Sequence, residues 1–299
     1  MNPNPYLQKL GFTDDDRVII FHADDIGMCQ SSLAAYADLV EFGLLSSAAV
    51  MVPCPWFPAT AAFIRNHPQR KQLDIGVHLT LTSEWDEYRW GPISSRSPAT
   101  GMLDSEGYFY RDVDSFRENS QVTAVQREME AQVEWAIQAG IEPTHLDNHM
   151  LSIFHPTFLT LYFQLGQQYH LPNLMFRTDA AGFAKMGVPP ERAAVYAQLV
   201  LQLEEQGLPL FDHIHMMPLD DGAARRAKAQ AVLANLPSGL TYFIIHPTTD
   251  TPEVRALAPD WRARVADYQL FTDEKWRQIV AESGVQVIGY RAIKEVMRA

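Results

Sequence analysis

The stretch VIIFHADD, Val18 to Asp25, is an apolar run that ends in two adjacent carboxylates. Three other apolar runs end in polar groups: IGVHLTLT from Ile75 to Thr82, PTHLDNH from Pro143 to His149, and TYFIIHP from Thr241 to Pro247. In α/β enzymes, strands deliver reactive side chains to one end of the sheet or barrel. We therefore expect the four endings to share one pocket. Their carboxylates and imidazoles are typical of a mononuclear metal hydrolase.

Predicted strands alternate with helical patterns along the whole chain, which is typical of an α/β fold with a parallel sheet. Seven or eight such units favour a (β/α) barrel. Helices are predicted, for example, over Gln121–Ala139, Pro190–Gln206 and Gly222–Leu236, where apolar residues recur three and four apart. The predicted strands are Val18–Phe21, Ser47–Val52, Ile75–Leu81, Thr144–Leu146, Leu174–Phe176, Asp212–His215, Leu240–Ile245 and Val285–Ile288.

The chain shows no sign of a boundary between domains. Neither a Gly/Ser-rich linker nor an internal repeat divides the 299 residues, so we predict one domain over residues 1–299. The segment near 85–114 is rich in Gly, Pro, Ser and aromatics and is long for a simple connection. We expect an inserted substrate loop there; a surface excursion without a role is the alternative.

Composition excludes several classes of partner. The chain has 24 Lys and Arg against 36 Asp and Glu, a formal net charge of −12, which opposes binding to nucleic acid. The N-terminus lacks the pattern of a signal peptide, and no apolar run approaches the roughly 18 residues of a membrane helix. We therefore expect a cytoplasmic protein with no membrane partner. Two cysteines, Cys29 and Cys54, are too few for a disulfide scaffold.

Adjacent carboxylates after a strand can take different tasks, because neighbouring side chains point in different directions. Asp24 and Asp25 could therefore divide metal binding and proton transfer between them. The alternative makes Asp25 only a turn former or the N-cap of a helix near Ser31 to Phe42. His78 lies in an otherwise apolar strand, where it is either a functional imidazole or a hydrogen-bonded core histidine.

In PTHLDNH, two histidines stand four residues apart with Asp147 between them. A helix would place His145 and His149 on one face, whereas a strand that ends at Asp147 would leave His149 in the loop beyond. The preceding proline favours the strand, and Asp147 is then placed to orient a ligand ring. His246 follows the strongest β-run of the chain, where an imidazole is a candidate acid or base.

The strings ADDIG, GVHLTLT, THLDNH and IIHP, in this order and at these separations, resemble the YdjC/ChbG family of carbohydrate deacetylases. Similar strings continue through EFGLLSSAAVMV, RVADYQLFTDEKWRQIV and VIGYR, so the resemblance covers nearly the whole chain. One motif such as ADD is weak evidence, but four motifs in the right order make coincidence improbable. The fold that the resemblance implies is a distorted (β/α) barrel.

The resemblance also implies roles for particular residues. Asp25, His78 and His149 correspond to the ligands of one divalent metal ion, Asp24 to the base that activates water, and His246 to the acid that protonates the departing amine. The implied reaction is hydrolysis of an N-acetyl group on an amino sugar or oligosaccharide. Zn²⁺ or Mg²⁺ is expected, although Mn²⁺, Co²⁺ and Ni²⁺ also accept this set of ligands.

The chain departs from the family after His149, where relatives commonly continue with a histidine-rich HHVH string and this chain reads Met-Leu-Ser-Ile. His213 and His215 alternate as on one face of a strand, so they either line the pocket or have a structural role. Aromatics of the 85–114 segment are candidates for stacking on a sugar. They are Trp85, Tyr88, Trp90 and Tyr108.

Two other functions remain open at this stage. One is a metal hydrolase that cleaves another amide or an ester; the usual amidohydrolase barrel opens with His-x-His, whereas this chain has His22-Ala23-Asp24. The other is a non-catalytic carbohydrate-binding or metal-binding protein on the same fold. The presence of Asp24 and His246 beside the three candidate ligands favours an enzyme. Relatives often pair, so a homodimer is also expected.

Overall fold

A curled parallel sheet forms the centre of the protein, as seen in a computed structural model that describes residues 4–185 and 188–298. The described residues form seven strands in the order β4-β3-β2-β1-β6-β5, with β7 beside the first half of β1. All pairs are parallel. The strands are β1 Arg17–Ile26, β2 Ser47–Val50, β3 Ile75–Leu79, β4 Leu146–Asn148, β5 His213–Met216, β6 Gly239–Ile245 and β7 Gln286–Val287.

Helices connect and cover the strands, as expected for parallel strands that need crossover connections. The longest, α5, is close to the helix predicted over Gln121–Ala139. In chain order the helices are α1 Pro5–Lys9, α2 Gln30–Phe42, α3 Phe57–Asn66, α4 Val113–Asn119, α5 Val122–Gln138, α6 Pro156–Tyr169, α7 Ala180–Lys185, α8 Pro190–Glu205, α9 Arg225–Ala234, α10 Pro252–Leu257, α11 Trp261–Phe271, α12 Glu274–Glu282 and α13 Tyr290–Arg298. Short 3-10 turns lie at Pro98–Thr100 and His149–Leu151.

Strands β2, β3 and β6 are buried along their whole length on both faces, which explains their apolar character, whereas β5 and β7 at the margins are partly exposed. The predicted α/β fold with parallel strands is confirmed, but one predicted strand is absent. The segment 173–176, which contains the predicted strand, makes a single parallel bridge at each end, one from Asn173 to Leu146 of β4 and one from Phe176 to Phe211 just before β5. The segment thereby links the two outer strands of the curled sheet without forming a ladder of its own.

The segment near 85–114 packs against the body of the protein. A bridge pairs Leu103 with Phe109, and Trp90 is buried with its indole N–H donating to the carbonyl of Thr82 at 2.7 Å. Within the part of the chain that the structure describes, no helix combines the length and apolar character needed to cross a membrane.

Candidate metal centre and active site

The end of β1 carries both carboxylates of the ADD motif, because the strand extends beyond the predicted Phe21 to Ile26. Ala23 of β1 pairs with Ala48 of β2, and the next pair is Ile26 with Val50. Between these pairs β1 advances three residues and β2 only two, so β1 contains one extra residue. Asp25 lies in this bulge with a φ of 62°, a left-handed conformation that few non-glycine residues adopt. The bulge interrupts the alternation of the strand, and therefore Asp24 and Asp25 both line the same cavity. The N-cap of α2 is Cys29, so Asp25 is not a helix cap.

Three of the predicted residues converge on one point. Asp25 Oδ1 lies 3.4 Å from His78 Nε2 and 3.2 Å from His149 Nδ1. His149 occupies the turn directly after β4, as the strand-then-loop interpretation predicted. All three side chains are buried, and their ligand atoms lie within 4.8 Å of one another. Asp25 Oδ1 is buried and accepts no hydrogen bond from any described residue. A bound cation would satisfy such an oxygen. The group could therefore hold a metal ion.

The carboxylates around His78 give this site a strong preference for positive charge. Burial opposes protonation of His78, yet Asp24, Asp147 and Asp25 together raise the pKa of its imidazole well above the ordinary value. A field that retains a proton on a buried ring also attracts a metal ion, and the two compete for the same nitrogen.

A glutamate that the sequence analysis did not single out completes the surroundings of His149. Glu84 Oε2 lies 3.0 Å from His149 Nε2, on the opposite side of the ring from Asp25. Burial lowers the pKa of His149, but Glu84 and Asp25 outweigh it and raise the pKa to about 9. A carboxylate on the outer nitrogen of a ligand histidine fixes its tautomer and orientation.

An arginine far along the chain balances the charge of Asp25. Arg264 of α11 donates to Asp25 Oδ2 at 2.7 Å and to Asp260 at 2.9 Å, and its guanidinium lies over the ring of Trp85. Although burial raises the pKa of Asp25, Arg264 and His149 hold that pKa well below its usual range. Asp25 is therefore ionised, with one oxygen paired and the other directed at the histidines.

Asp24 belongs to a second buried group, formed with His22 and Asp147. His22 Nε2 lies 3.1 Å from Asp24 Oδ1 and 3.4 Å from Asp147 Oδ2, while its Nδ1 lies 3.0 Å from Ser47 Oγ. Asp147 also accepts a 2.6 Å hydrogen bond from the hydroxyl of Tyr242 and lies 3.7 Å from the Nδ1 of the His78 ring. Asp147 thus joins the surroundings of the candidate base to those of a candidate ligand.

His246 lies directly after β6 and faces Asp24, with 3.7 Å between His246 Nε2 and Asp24 Oδ2. Its backbone N–H donates to Asp267 at 3.0 Å, which anchors the end of the strand. Burial lowers the pKa of His246 and outweighs the opposing effects of Asp25 and Asp24, so the imidazole is neutral at pH 7. A neutral imidazole must first acquire a proton before it can act as an acid.

His145 lies behind the site and does not line the cavity. Its ring stacks on Tyr290, with 3.8 Å between the ring centroids, and contacts the edge of His22. Gly76 makes room for it, since a Cβ at that position would lie 2.4 Å from His145 Nε2. Burial lowers the pKa of His145 well below the ordinary value. The ring is therefore a neutral packing element under the site.

Of the other predicted candidates, Trp85 lines the cavity and the two histidines of β5 do not. Trp85 lines the cavity beside Arg264. The structure does not bring His213 or His215 into the cavity, because β5 turns Ile214 and Met216 towards it instead. His213 Nε2 lies 2.9 Å from the backbone carbonyl of Ser238.

A cavity of about 640 Å³ opens above these groups at the carboxyl ends of the strands. Asp24, Asp25, His78, His149 and His246 all line it, together with Glu84 and Arg264. An ion-binding group therefore lies beside a carboxylate and an imidazole suited to proton transfer, in a space large enough for a small organic substrate.

Three residues of the site were missed by sequence reasoning. His22 stands two positions before Asp24, so the alternation of a strand places both on one face and could have identified it. Arg264 opens the string RVADYQLF, which contributed to the resemblance without an assigned role. Glu84 lies in a loop, where no periodic signal marks it.

Fold and site together define an α/β protein with a curled parallel sheet and a buried carboxylate–imidazole centre at the carboxyl ends of its strands. The chain belongs to the YdjC-like protein family, whose model matches residues 18–282. The resemblance identified from the four motifs is thus confirmed.

Two similar proteins cover nearly the whole chain. A carbohydrate deacetylase of Thermus thermophilus is 31% identical over 291 residues, which are 97% of this chain and 98% of the relative. A carbohydrate deacetylase of Thermoanaerobacter pseudethanolicus is 21% identical over 93% of this chain and 100% of the relative. A solved structure from Enterococcus faecalis, assigned to cellobiose-phosphate cleavage, has a TM-score of 0.73 at 20% identity over 93% of this chain and 99% of that chain. At that identity the structural likeness bears on the fold alone.

Proposed function

We propose that the protein is a metal-dependent deacetylase that hydrolyses the N-acetyl group of an amino sugar or a short oligosaccharide. Membership in the YdjC-like family and the names of its relatives support the substrate class. The observation that carries the proposal is the buried cluster of Asp25, His78 and His149, which adjoins Asp24 and His246 in one cavity. A protein that only bound metal or sugar would need neither of the last two residues.

Asp25, His78 and His149 would hold the ion. When bound, a divalent ion supplies a Lewis acid that lowers the pKa of water and polarises the amide carbonyl. Two imidazoles and one carboxylate suit Zn²⁺ best, because Mg²⁺ prefers oxygen ligands. Arg264 holds Asp25 in its ionised state, and Glu84 holds the ring of His149 in the orientation that turns Nδ1 towards Asp25.

Asp24 is the base in this mechanism. It lies at the cavity beside the candidate ligands, with Oδ2 4.0 Å from His78 Nε2, and it accepts the proton of the attacking water. His22 holds its other oxygen, at 3.1 Å, and so fixes the direction of the carboxylate.

His246 transfers that proton to the leaving nitrogen. Because burial keeps the imidazole neutral at rest, the proton must arrive during the reaction, and Asp24 Oδ2 is 3.7 Å away. Asp24 therefore gives its proton to His246 Nε2, which passes it to the amine as the C–N bond breaks. The products are acetate and the free amino sugar.

Two variants separate metal binding from proton transfer. Asp24→Asn should retain the bound ion but lose about 10²- to 10⁴-fold in kcat, the usual contribution of a general base. Asp25→Asn should lose the ion itself. The measurements are acetate release and metal content after dialysis. Full turnover by Asp24→Asn would contradict the assignment of the base, and full metal content in Asp25→Asn would contradict the assignment of the ligands.

A further inference from the structure

The cavity that holds the candidate metal centre has two unlike halves. One half carries the charged groups at the ends of β6, β1 and β3. The other half is largely apolar and is formed by the turn after β4, the linking segment 173–176, β5 and the loop that follows β5. Its principal residues are Met150, Leu151, Phe176, Ile214, Met216 and Leu219.

Much of this apolar half faces solvent. Met216 is 57% exposed, Met150 44%, Leu219 39% and Leu151 36%, although each has a large hydrophobic side chain. Single exposed apolar residues are ordinary on a protein surface, but several of them that line one cavity are typical of a binding site. The group adjoins the proposed catalytic residues, so its natural occupant is part of the substrate.

The turn that presents two of these residues is held in an unfavourable conformation. Met150 and Leu151 have φ values of 54° and 49°, in the left-handed region that non-glycine residues avoid. Arg117 fixes the turn by donating to the carbonyls of Leu151, Ser152 and Phe154 at 2.9, 3.1 and 2.9 Å. Strain of this kind persists at ligand sites, where the surrounding structure enforces it.

The position of His246 decides which part of the substrate meets the apolar half. In the proposed function His246 protonates the leaving nitrogen, so the sugar lies on its side of the scissile bond. Ile244 precedes His246 by two residues, lines the same cavity and pairs with Met216 of β5. The sugar and whatever it carries are therefore directed over Met216, Ile244 and Leu219.

We propose that the physiological substrate is an N-acetylated amino sugar that carries an alkyl aglycone, and that the apolar half of the cavity binds this alkyl group. The inference rests on the proposed function and names its substrate class more closely. The Met, Leu and Ile side chains of this half offer no hydrogen-bonding group and therefore suit an alkyl chain, and the flexible Met side chains can adapt to its shape. Trp85 also lines the cavity, with its ring beneath the guanidinium of Arg264.

The test compares methyl and hexyl β-glycosides of N-acetylglucosamine with unsubstituted chito-oligosaccharides, all below micellar concentrations. Each methylene of the substrate that the apolar half of the cavity buries should raise kcat/KM by a factor of about four. Two buried methylenes would therefore raise kcat/KM for the hexyl glycoside more than about tenfold over the methyl glycoside. Leu219→Gln should shrink the ratio of hexyl to methyl kcat/KM. Leu201→Gln is the matched control, since Leu201 is 48% exposed on α8 and does not line the cavity.

A binding measurement keeps this inference separate from the proposed function. Hexyl and methyl β-glucosides contain no amide, so their binding can be measured without hydrolysis. Calorimetry should show tighter binding of the hexyl compound than of the methyl compound. Leu219→Gln should weaken the binding of the hexyl compound, and Leu201→Gln should not. Equal binding of the two glucosides, or equal kcat/KM for the two acetylated glycosides, would overturn the alkyl site while acetate release upholds the deacetylase. Hexyl binding without acetate from any compound would instead uphold the alkyl site and contradict the deacetylase.

Discussion

Binding of a divalent ion should release protons from the two candidate imidazole ligands. Nearby carboxylates raise the pKa of His149 to about 9 and that of His78 well above its ordinary value, so both rings are protonated at pH 7 in the metal-free protein. An imidazole must be neutral to bind a metal ion. With a pKa of about 9, only about 1% of His149 rings are neutral at pH 7, so the deprotonation of this ring alone weakens the apparent affinity there about 100-fold.

Glu84→Gln is the perturbation that tests this relation. Glu84 makes the largest favourable contribution to the protonated state of His149, so its neutral replacement should lower the pKa of that ring below its wild-type value of about 9. Proton release at pH 7.5 should then be smaller than in the wild type, because the contribution of His149 decreases while the carboxylates around His78 are unchanged. Glu87→Gln provides the control, since Glu87 is exposed in the same loop and does not line the cavity.

Calorimetric titration of the metal-free protein in buffers of different ionisation enthalpy measures the number of protons released. Affinity in the wild type should increase from pH 6 to pH 9, and the increase should be smaller in Glu84→Gln. Ion binding that released no protons and kept the same affinity across this range would refute the assignment of His78 and His149 as ligands.

Three further substitutions test other parts of the site. Arg264→Met removes the partner of a buried carboxylate and should lower the free energy of unfolding of the metal-free protein by about 3–5 kcal/mol, as measured by urea denaturation. A decrease below about 1 kcal/mol would contradict the importance of the Asp25 ion pair. Gly76→Ala places a methyl group against His145 and should lower stability by about 1–3 kcal/mol, which an unchanged Tm would disprove. His22→Asn should misdirect Asp24 and lower kcat by up to about 100-fold at constant KM and metal content, and an unchanged kcat would exclude this positioning role.

The pattern of strand endings was informative because parallel strands bring their carboxyl ends to one edge. Asp25, His78 and His149 come from β1, β3 and the turn after β4, and the structure places their ligand atoms within 4.8 Å of one another. Arg264 lies 239 residues from Asp25, and no local spacing connects the two. Such partners emerge only when the helix that carries them is packed against the sheet.

Alternation along a strand predicts which residues share a face but not which face is inside. His213 and His215 do alternate on β5, as the sequence indicated, but their face lies away from the cavity and Met216 points towards it. The local bulge at Asp25 was equally hidden, since a regular strand would have separated Asp24 from Asp25. Face and bulge both depend on tertiary pairing, which a single sequence does not encode locally.

Acetate release tests the central claim most directly. The protein should be stripped with a chelator, supplied with each divalent ion in turn, and offered N-acetylglucosamine, chito-oligosaccharides and the hexyl glycoside. We predict acetate release that requires an ion and is lost in Asp24→Asn. No acetate from any compound, with one ion bound per chain, would contradict the deacetylase function and favour a different substrate or a binding protein.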